Sequence, residues 1–418
     1  MRVAINAQLI TSGHWGGVEQ FVLGLVYGLG QLRDGAEEYI IVGPAENTDW
    51  LAPYLGTNQT LKCAPRPGLL APKKEWLGPL RAPAGKMLRW LRYALNRQTD
   101  VNDSARAPSD GFYESLGANV VHFPFQLYTP TDVPYIYNPH DLQHLHHPQF
   151  FRSEDIAARE ASWRPACRDA AAIVTDCVWV RHDVAKRYAV PSEKIFAIPM
   201  GAPTTLYGAL IDLSAVRQKF DLPSTFAFYP AQTWQHKNHL RLIEAIALLR
   251  ARENLILNLI CTGAQNEFYR VVAQRVRELQ LETQVRFLGF VEPAELRALY
   301  HLAQFVIHPS LFEGGGLPIL EAFNEGAPVA CANTTSLPEY AGDAALYFDS
   351  TSVESIADAA KRMTSDAALR ADLRERGHAR VQSFTWERTA RAYRALYRKI
   401  AGQELSADDH ALLEQAQK

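Results

Sequence analysis

The sequence predicts an α/β protein of two domains, each a doubly wound parallel β-sheet covered by helices, that face each other across a cleft. Short apolar runs alternate with helix-length segments along the chain, which is typical of parallel sheets with helices on both faces. At 418 residues the chain is also too long for one compact core. The alternation breaks at 199–203 (Pro-Met-Gly-Ala-Pro), and we place the division between the domains there.

Each element follows from one run in this alternation. Strands are predicted at 2–5, 39–42, 120–123, 135–137 and 172–174, and then at 226–229, 255–261, 285–288, 305–308, 329–331 and 346–348. Helices are predicted at 18–32, 239–251, 266–279, 293–301, 317–325 and 385–400. The resulting division is an N-terminal domain over 1–200, a C-terminal domain over 201–384 and a terminal segment over 385–418. Ligands of such sheets bind at the carboxyl ends of the strands, which predicts a site in the cleft.

Composition and charge exclude several classes of protein. A hydrophobic fraction of 47% with 21% charged residues is ordinary for a water-soluble globular protein. The net charge of −2 gives no general attraction to nucleic acid, and no such partner is expected. The five cysteines are scattered and form no C-x-x-C pair, as in reduced proteins of the cytoplasm. No apolar run approaches the roughly 20 residues of a membrane span, so we expect a cytoplasmic protein that is at most peripheral to the inner face of the cell membrane.

The segment 62–108 differs from the rest of the chain. It carries ten basic residues against three acidic ones, with two tryptophans and several leucines interleaved. A basic amphipathic insertion of this kind can lie on an anionic bilayer or receive a charged acceptor. The alternative is a solvent-exposed surface loop with a basic helix near 85–97.

The most informative motif is the segment 303–322, which joins a predicted strand, a glycine turn and a helix start. Three consecutive glycines at 314–316 let backbone N–H groups approach a ligand closely, and Pro318 suits the first turn of the helix. The helix N-terminus adds partial positive charge, which favours an anion or sugar hydroxyls. Glu313 lies at the mouth of this turn and Glu321 lies inside the helix, within reach of one extended ligand.

In each domain, the loop after the first predicted strand contains further candidate site residues. Gly16 and Gly17 open the first helix and allow close approach of a diphosphate, although the G-x-G-x-x-G dinucleotide fingerprint is absent. Lys237 follows the strand at 226–229, where a cation suits an anionic leaving group. Each signal is weak alone, because tight turns use glycines without any ligand and most lysines are solvated.

The run 138–147 contains four histidines and one aspartate. Its spacing differs from H-E-x-x-H, and the chain contains no D-x-D pair, so no metal site and no metal cofactor are expected. His140 remains a candidate site residue, and the alternative is that it only caps the loop.

Together these motifs resemble the retaining glycosyltransferases of family 4. The pattern Glu-Gly-x-Gly-Leu-Pro-x-x-Glu-Ala at 313–322, with its Glu-x7-Glu spacing, is the most specific match. Weaker matches at 198–201, 289–291, 336–339 and 384–387 extend the resemblance over most of the chain. The resemblance implies the GT-B fold, in which two Rossmann-like domains face across a cleft and the helix at 385–400 crosses back onto the first domain.

The resemblance also implies how a nucleotide-sugar donor is held. Glu321 would accept hydrogen bonds from the ribose hydroxyls. Backbone N–H groups at Gly314, Gly315, Gly316 and Leu317 would hold the donor sugar and its phosphate. The family usually has a larger residue in the place of Gly315, which implies a donor pocket of different shape.

For catalysis, the resemblance implies that Glu313 contacts sugar hydroxyls at the reacting centre and that His140 meets the sugar. Lys237, with Gly16 and Gly17, would stabilise the departing diphosphate. The family pairs this lysine with an arginine five or six residues earlier, but this chain has Ala231-Gln232 there. Gln232 or His236 could take part of the arginine's place, but neither offers a permanent bidentate cation.

The sequence therefore predicts a retaining glycosyltransferase that moves a sugar from a nucleotide-sugar donor to a glycan or lipid-linked glycan acceptor. The surroundings of Lys237 resemble transferases of bacterial surface-polysaccharide assembly, which favours GDP-mannose as the donor. One alternative is a nucleotide-sugar 2-epimerase of the same fold, against which the Glu-x7-Glu pattern argues. The other is a catalytically silent nucleotide-sugar-binding protein, supported only by the missing arginine.

Overall fold

The computed structural model describes residues 1–9, 16–45, 48–64 and 109–418. All but the first three positions of the basic segment 62–108 lie outside the described residues, so its membrane contact stays a prediction. Within the described ranges, no helix combines the length and the apolar character that crossing a bilayer requires.

The described strands form two parallel sheets, as predicted. The first contains β1 (Arg2–Asn6), β2 (Glu38–Gly43), β3 (Gln59–Cys63), β4 (Val120–Phe123), β5 (Tyr135–Tyr137), β6 (Ala172–Thr175) and β7 (Ile195–Ala197), in the order β3-β2-β1-β4-β5-β6-β7. The second contains β8 (Ala227–Pro230), β9 (Leu259–Thr262), β10 (Val285–Phe287), β11 (Phe305–His308), β12 (Val329–Ala332) and β13 (Ala345–Phe348), in the order β10-β9-β8-β11-β12-β13.

Helices connect these strands. The described α-helices are α1 (Gly17–Gln31), α2 (Phe112–Ser115), α3 (Gln143–His146), α4 (Ser153–Asp169), α5 (Val178–Tyr188), α6 (Leu213–Lys219), α7 (His239–Glu253), α8 (Tyr269–Glu278), α9 (Pro293–Leu302), α10 (Leu317–Asn324), α11 (Leu337–Ala341), α12 (Val353–Ser365), α13 (Ala367–Val381), α14 (Trp386–Ile400) and α15 (Ala407–Gln417). Short 3-10 turns lie at Ala52–Tyr54, Pro148–Phe150, Ser192–Lys194, Pro203–Leu206 and Gln235–Lys237.

The strand order of each sheet reverses beside its first strand, between β1 and β4 and between β8 and β11. Ligands of doubly wound sheets bind at such switch points. In the second sheet Phe305 pairs with Ala227 and Val306 with Phe228, so the loops after β8 and β11 leave the sheet side by side. The sheet topology therefore brings together two loops that lie about 75 positions apart in the sequence.

The central strands are buried on both faces, which explains their continuous apolar runs. Val3, Ala4 and Ile5 of β1 are inaccessible to solvent, and so are Val306 and Ile307 of β11. Because the interior residues of β1 and β11 are apolar on both faces, these two strands were the easiest to predict.

Several elements differ from the sequence prediction. β3 and β7, the two edge strands of the first sheet, were both missed. In β3, exposed polar residues obscure the apolar pattern. The strand predicted at 255–261 begins later, because the chain still closes α7 through the left-handed Asn254 and a bond from the Leu255 N–H to the Leu249 carbonyl. The longer helices α4, α5, α12, α13 and α15 were also missed. In α4, charged residues and Pro165 obscure the apolar face.

Helix α14 follows the second sheet in sequence but packs against α1 in the first domain. A Cβ on Gly24 would lie only 2.0 Å from the indole of Trp386, and one on Gly201 would lie 2.5 Å from its backbone nitrogen. Arg394 of α14 places its two terminal nitrogens 2.6 and 3.1 Å from the carboxylate of Asp34. The chain therefore crosses twice between the two sheets, and its terminal helices belong to the core of the first.

Replacing Trp386 with alanine should destabilise the first domain, because the two glycines beside it shape a space that only a large flat side chain fills. Changes of this kind in a packed interior cost about 3–5 kcal/mol. Thermal unfolding followed by circular dichroism measures the effect. As a control, Val271→Ala removes a side chain that is 47% exposed and should shift the midpoint little. An unchanged midpoint for Trp386→Ala would contradict this account of α14.

Candidate active site

The loop between β11 and α10 lies beside the loop that follows β8. The backbone N–H of Leu311 donates to the carbonyl of His236 at 2.8 Å, which ties the two loops together. The hydroxyl of Tyr229 donates to the carbonyl of Lys237 at 2.7 Å and fixes the second loop. Both backbones are therefore held in place before any ligand binds.

Glu313 and Lys237 form a buried ion pair between these loops. Lys237 Nζ donates to Glu313 Oε1 at 2.6 Å, and His308 Nε2 lies 2.9 Å from the same oxygen. Burial raises the pKa of Glu313, but the charge of Lys237 and the bond with His308 outweigh it and hold that pKa well below its usual value. Glu313 is therefore ionised at neutral pH, and Lys237 has two N–H donors beyond the one it gives to Glu313.

Glu321 lies on α10 and accepts a hydrogen bond on each carboxylate oxygen. The hydroxyl of Tyr207 donates to Oε1 at 2.6 Å, and the hydroxyl of Tyr300 donates to Oε2 at 2.5 Å. Burial raises the pKa of Glu321 to about 7, although both tyrosine bonds lower it. Near neutral pH this carboxyl group is therefore divided between its protonated and ionised forms.

The glycines of the 314–316 turn are required by packing as well as by any ligand. A Cβ on Gly314 would lie 2.8 Å from Cβ of Asp141, and one on Gly315 would lie 2.5 Å from Cε of Met200. Both neighbours belong to the N-terminal half of the chain, so the turn presses against the first domain. Within the described residues, the backbone N–H groups of the three glycines have no protein acceptor.

The loop of Gly16 and Gly17, which we call the first glycine loop, faces the turn 314–316 from the other domain. Gly16 caps the N-terminus of α1 with φ of 65°, a left-handed conformation that favours glycine. A Cβ on Gly16 would lie 3.3 Å from Nε2 of Gln232, and one on Gly17 would lie 3.3 Å from Cδ1 of Leu317. Both glycines therefore let the N-terminus of α1 approach the loops after β8 and β11.

His140 is buried, and both of its ring nitrogens are engaged. Nδ1 lies 2.9 Å from Asp176 Oδ2, and Nε2 lies 2.9 Å from the carbonyl oxygen of Pro124. A carbonyl only accepts, so Nε2 donates to Pro124, and Nδ1 faces the carboxyl group of Asp176. Burial lowers the pKa of His140, but Asp176 outweighs burial and raises that pKa above its usual value. These contacts are those of the loop-capping alternative, and a contact with the sugar stays a prediction.

Two other histidines of the run 138–147 also pair with carboxylates. His144 Nε2 lies 2.8 Å from Glu160 of α4, and His146 Nε2 lies 2.8 Å from Asp183 of α5. These pairs show that the run packs its loop against two helices. Among the described residues, no three His, Cys, Asp or Glu side chains are grouped as metal ligands would be.

Sequence reasoning did not find four residues of this site. Tyr207 and Tyr300 bond to Glu321 from distant parts of the chain, and no local pattern marks them. Asp176, the partner of His140, follows directly after β6. His308 ends β11, and its place at the carboxyl end of a buried strand is the one signal that could have identified it.

Comparisons with known proteins identify relatives of this chain. The family described as glycosyl transferases group 1 matches residues 214–380. The O-antigen chain mannosyltransferase B of Escherichia coli is 30% identical over 263 residues, which cover 62% of this chain and 69% of that protein. The serotype-specific mannosyltransferase WbdA of Escherichia coli is 33% identical over 200 residues, which cover 44% of this chain but only 23% of that protein.

Among solved structures, the Anabaena protein Alr3699/HepE in complex with UDP and glucose superposes with a TM-score of 0.67. The superposition covers 96% of this chain and all of that one, at 16% sequence identity. At this identity the likeness establishes the fold, the GT-B arrangement that the sequence predicts.

The ionisation of Glu321 should be visible in the pH dependence of stability. Because burial raises its pKa from 4.5 to about 7, the folded protein between these pH values holds a proton that the unfolded chain releases. The contribution of Glu321 to stability therefore falls as pH rises through this window. Glu321→Gln cannot ionise, so its stability relative to wild type should increase by about 3 kcal/mol across the window.

Thermal unfolding of both proteins over this pH range measures the difference. Glu282→Gln, which changes an exposed carboxylate, is the control and should show no such trend. A difference between Glu321→Gln and wild type that stays constant with pH would contradict the raised pKa.

Proposed function

Because the chain belongs to the glycosyltransferase group 1 family, we propose that it transfers a sugar from a nucleotide-sugar donor to a glycan or lipid-linked glycan, with retention of the anomeric configuration. The observation that carries the proposal is the convergence of the Lys237–Glu313 ion pair, the Glu321 carboxylate and the N–H groups of 314–316 at one switch point. A cation and backbone donors suit a diphosphate, and carboxylates suit the hydroxyls of ribose and sugar.

Glu321 is the residue we assign to the ribose. An ionised carboxylate offers about four acceptor positions, and the hydroxyls of Tyr207 and Tyr300 use two of them. Two positions therefore remain for the vicinal hydroxyls of a ribose. Because hydrogen bonds to the charged form lower a pKa, ribose binding would favour ionised Glu321.

The diphosphate fits between the two glycine loops. Lys237 brings two N–H donors beyond the one it gives to Glu313. The turn 314–316 adds backbone donors that have no acceptor among the described residues. The N-termini of α1 and α10 both begin at these loops and add partial positive charge. Donors that are already in place stabilise the charge that develops on the leaving diphosphate without reorganisation.

Glu313 is the carboxylate we place at the reacting sugar. Lys237 and His308 both bond to Oε1, so Oε2 remains for the hydroxyls of the sugar. Its negative charge would also favour the positive charge that develops at the anomeric carbon. We assign no side chain as general base, since an oxygen of the departing phosphate can take the proton of the acceptor.

For the donor sugar we propose mannose, carried as GDP-mannose. The support comes from the relatives, which are described as O-antigen chain and serotype-specific mannosyltransferases. Metal independence is part of the proposal, because the sequence contains no D-x-D pair to hold a divalent cation. We also propose that the segment 62–108 contacts an anionic membrane or a lipid-linked acceptor.

Purified protein given GDP-mannose and a mannose-terminated acceptor should release GDP and form an α-linked product, because retention copies the configuration of the donor. Proton NMR of the product reads that configuration directly. A β-linked product would contradict retention. Donor epimerised without acceptor would indicate the 2-epimerase, and nucleotide binding without turnover would indicate the silent binding protein.

The same reaction should proceed unchanged in EDTA, because no divalent cation takes part in the proposed site. The initial rate with and without chelator measures this. Loss of activity that added Mg²⁺ or Mn²⁺ restores would contradict metal independence.

Glu313→Gln keeps the shape of the side chain and removes the charge that the proposal places beside the sugar. Turnover should fall by about 10²-fold or more, while affinity for GDP changes little, because the group acts mainly in the transition state. Steady-state rates and calorimetric titration with GDP measure the two quantities. Wild-type turnover in this variant would contradict the catalytic role. Loss of GDP affinity alone would show that Glu313 contributes to nucleotide binding and not to the transition state.

A further inference from the structure

The loop after β5 brings a second carboxylate to the glycine turn of the other domain. Oδ2 of Asp141 lies 3.0 Å from the place that a Cβ on Gly314 would take. Oδ1 accepts a bond from the backbone N–H of Gln143 at 2.9 Å, whereas Oδ2 makes no hydrogen bond with any described residue. Asp141 is only partly buried, so this second oxygen is open to a ligand in the cleft.

The backbone at this position is held in a strained turn. The Asp141 N–H donates to the Pro139 carbonyl at 2.8 Å, across His140, which has a φ of 59°. This bond closes a γ-turn with positive φ, a rare form that persists only where the surrounding structure enforces it. Both ring nitrogens of His140 are anchored in the first domain, so the turn is set before any ligand binds.

A guanidinium with unused donors belongs to the same face of the first domain. Arg159 of α4 lies over two rings, with its Cζ 4.6 Å from the centre of the Phe151 ring and 5.0 Å from that of Trp163. Its five N–H donors have no acceptor among the described residues. The Trp163 ring meets the ring of His144 edge to face, with centroids 4.9 Å apart, which joins this stack to the loop of Asp141.

The charges of these groups act on one another across the domain boundary. Burial raises the pKa of Asp141 above its usual value, and the negative charge of Glu313 adds to the rise. The Gln143 N–H and the positive charges of His140 and Arg159 oppose it. Asp141 therefore lies within electrostatic reach of the carboxylate that we place at the reacting sugar and of a cation on its own domain.

We propose that Asp141 and Arg159 bind the acceptor sugar, through hydroxyl groups next to the one that attacks. This inference rests on the proposed function and describes the acceptor side of the same site. Oδ2 of Asp141 accepts from one hydroxyl and the guanidinium donates to a neighbouring one, because sugar hydroxyls both donate and accept. The attacking hydroxyl gives its proton to the departing phosphate, so neither residue is a general base.

The placement of the two residues favours the acceptor over the donor. Apart from the N-terminus of α1, every contact that we assign to the donor comes from the second domain. Asp141 and Arg159 belong to the first domain, on the other side of the turn 314–316. Because Asp141 faces Glu313 across the boundary, a sugar bound to it lies beside the donor sugar. The acceptor that fits is a glycan with free vicinal hydroxyls.

Initial rates of the full chain with GDP-mannose and octyl α-mannoside as the acceptor test the inference. Asp141→Asn keeps an oxygen for the Gln143 N–H and puts an NH₂ group in the place of Oδ2. It should lower kcat/KM for the acceptor by about tenfold or more. Arg159→Met keeps an apolar chain against the two rings, removes the donors and should have the same effect. Calorimetric affinity for GDP and the slow hydrolysis of GDP-mannose without acceptor should change by less than about twofold, because neither needs the acceptor sugar.

Monodeoxy octyl α-mannosides give a readout that a structural role would not produce. Removing the hydroxyl that Asp141 contacts should cost wild type the same loss as Asp141→Asn. In that variant the same deoxy acceptor should cost almost nothing further, because both changes delete one bond.

Two matched variants serve as controls. Asp132→Asn changes an exposed carboxylate before β5, at the opposite edge of the sheet, and Arg277→Met changes an exposed arginine of α8. Both should leave every measured quantity unchanged. Thermal midpoints confirm that each variant folds, and Arg159→Met carries the test if Asp141→Asn does not fold.

Unchanged kcat/KM for the acceptor in Asp141→Asn and Arg159→Met would overturn the inference while the proposed function stands. An equal loss of GDP affinity would also overturn it, and so would full additivity with every deoxy acceptor, because these results indicate a donor-side or structural role. Wild-type protein that transfers no mannose to octyl α-mannoside would overturn the proposed function, and this inference with it.

Discussion

The ion pair between Lys237 and Glu313 is the interaction on which the candidate site depends. It joins the loops after β8 and β11, which meet only because the strand order of the second sheet reverses there. Removing two charges from water is costly, and the pair offsets that cost through a 2.6 Å contact and the additional bond from His308. Truncation of either side chain would leave the other charge buried without its partner, whereas the amide of Glu313→Gln still offers an oxygen to Lys237.

The second constraint is the close approach of the two domains at their glycine loops. Gly314 and Gly315 pack against Asp141 and Met200, while Gly17 packs against Leu317. The glycine-rich motif thus serves two purposes, since a residue without Cβ allows both interdomain packing and exposure of backbone N–H groups. Additional contacts hold the domains together, because Glu339 accepts bonds from two backbone N–H groups at the start of α5, at 2.8 and 2.6 Å.

The parallel sheets and part of the candidate site could be predicted from the sequence, for physical reasons. The interiors of buried parallel strands are apolar, so β1 and β11 were evident, and Gly16, Gly17, the turn 314–316 and Glu313 lie in the loops that follow them. The partners of the site residues were not accessible. Tyr207 reaches Glu321 across 114 positions of sequence and Asp176 reaches His140 across 36, and only the folded topology sets such pairs. The raised pKa of Glu321 likewise depends on burial, which its helical position did not reveal.

The most direct test of the account is a crystal structure of the protein with bound GDP. We expect ribose hydroxyls on the carboxylate of Glu321 and a diphosphate between Lys237, the turn 314–316 and the N-terminus of α1. It also predicts that Lys237 stays bonded to Glu313 while it contacts the diphosphate. A nucleotide bound elsewhere, or a diphosphate turned away from both glycine loops, would contradict the assignment of the site.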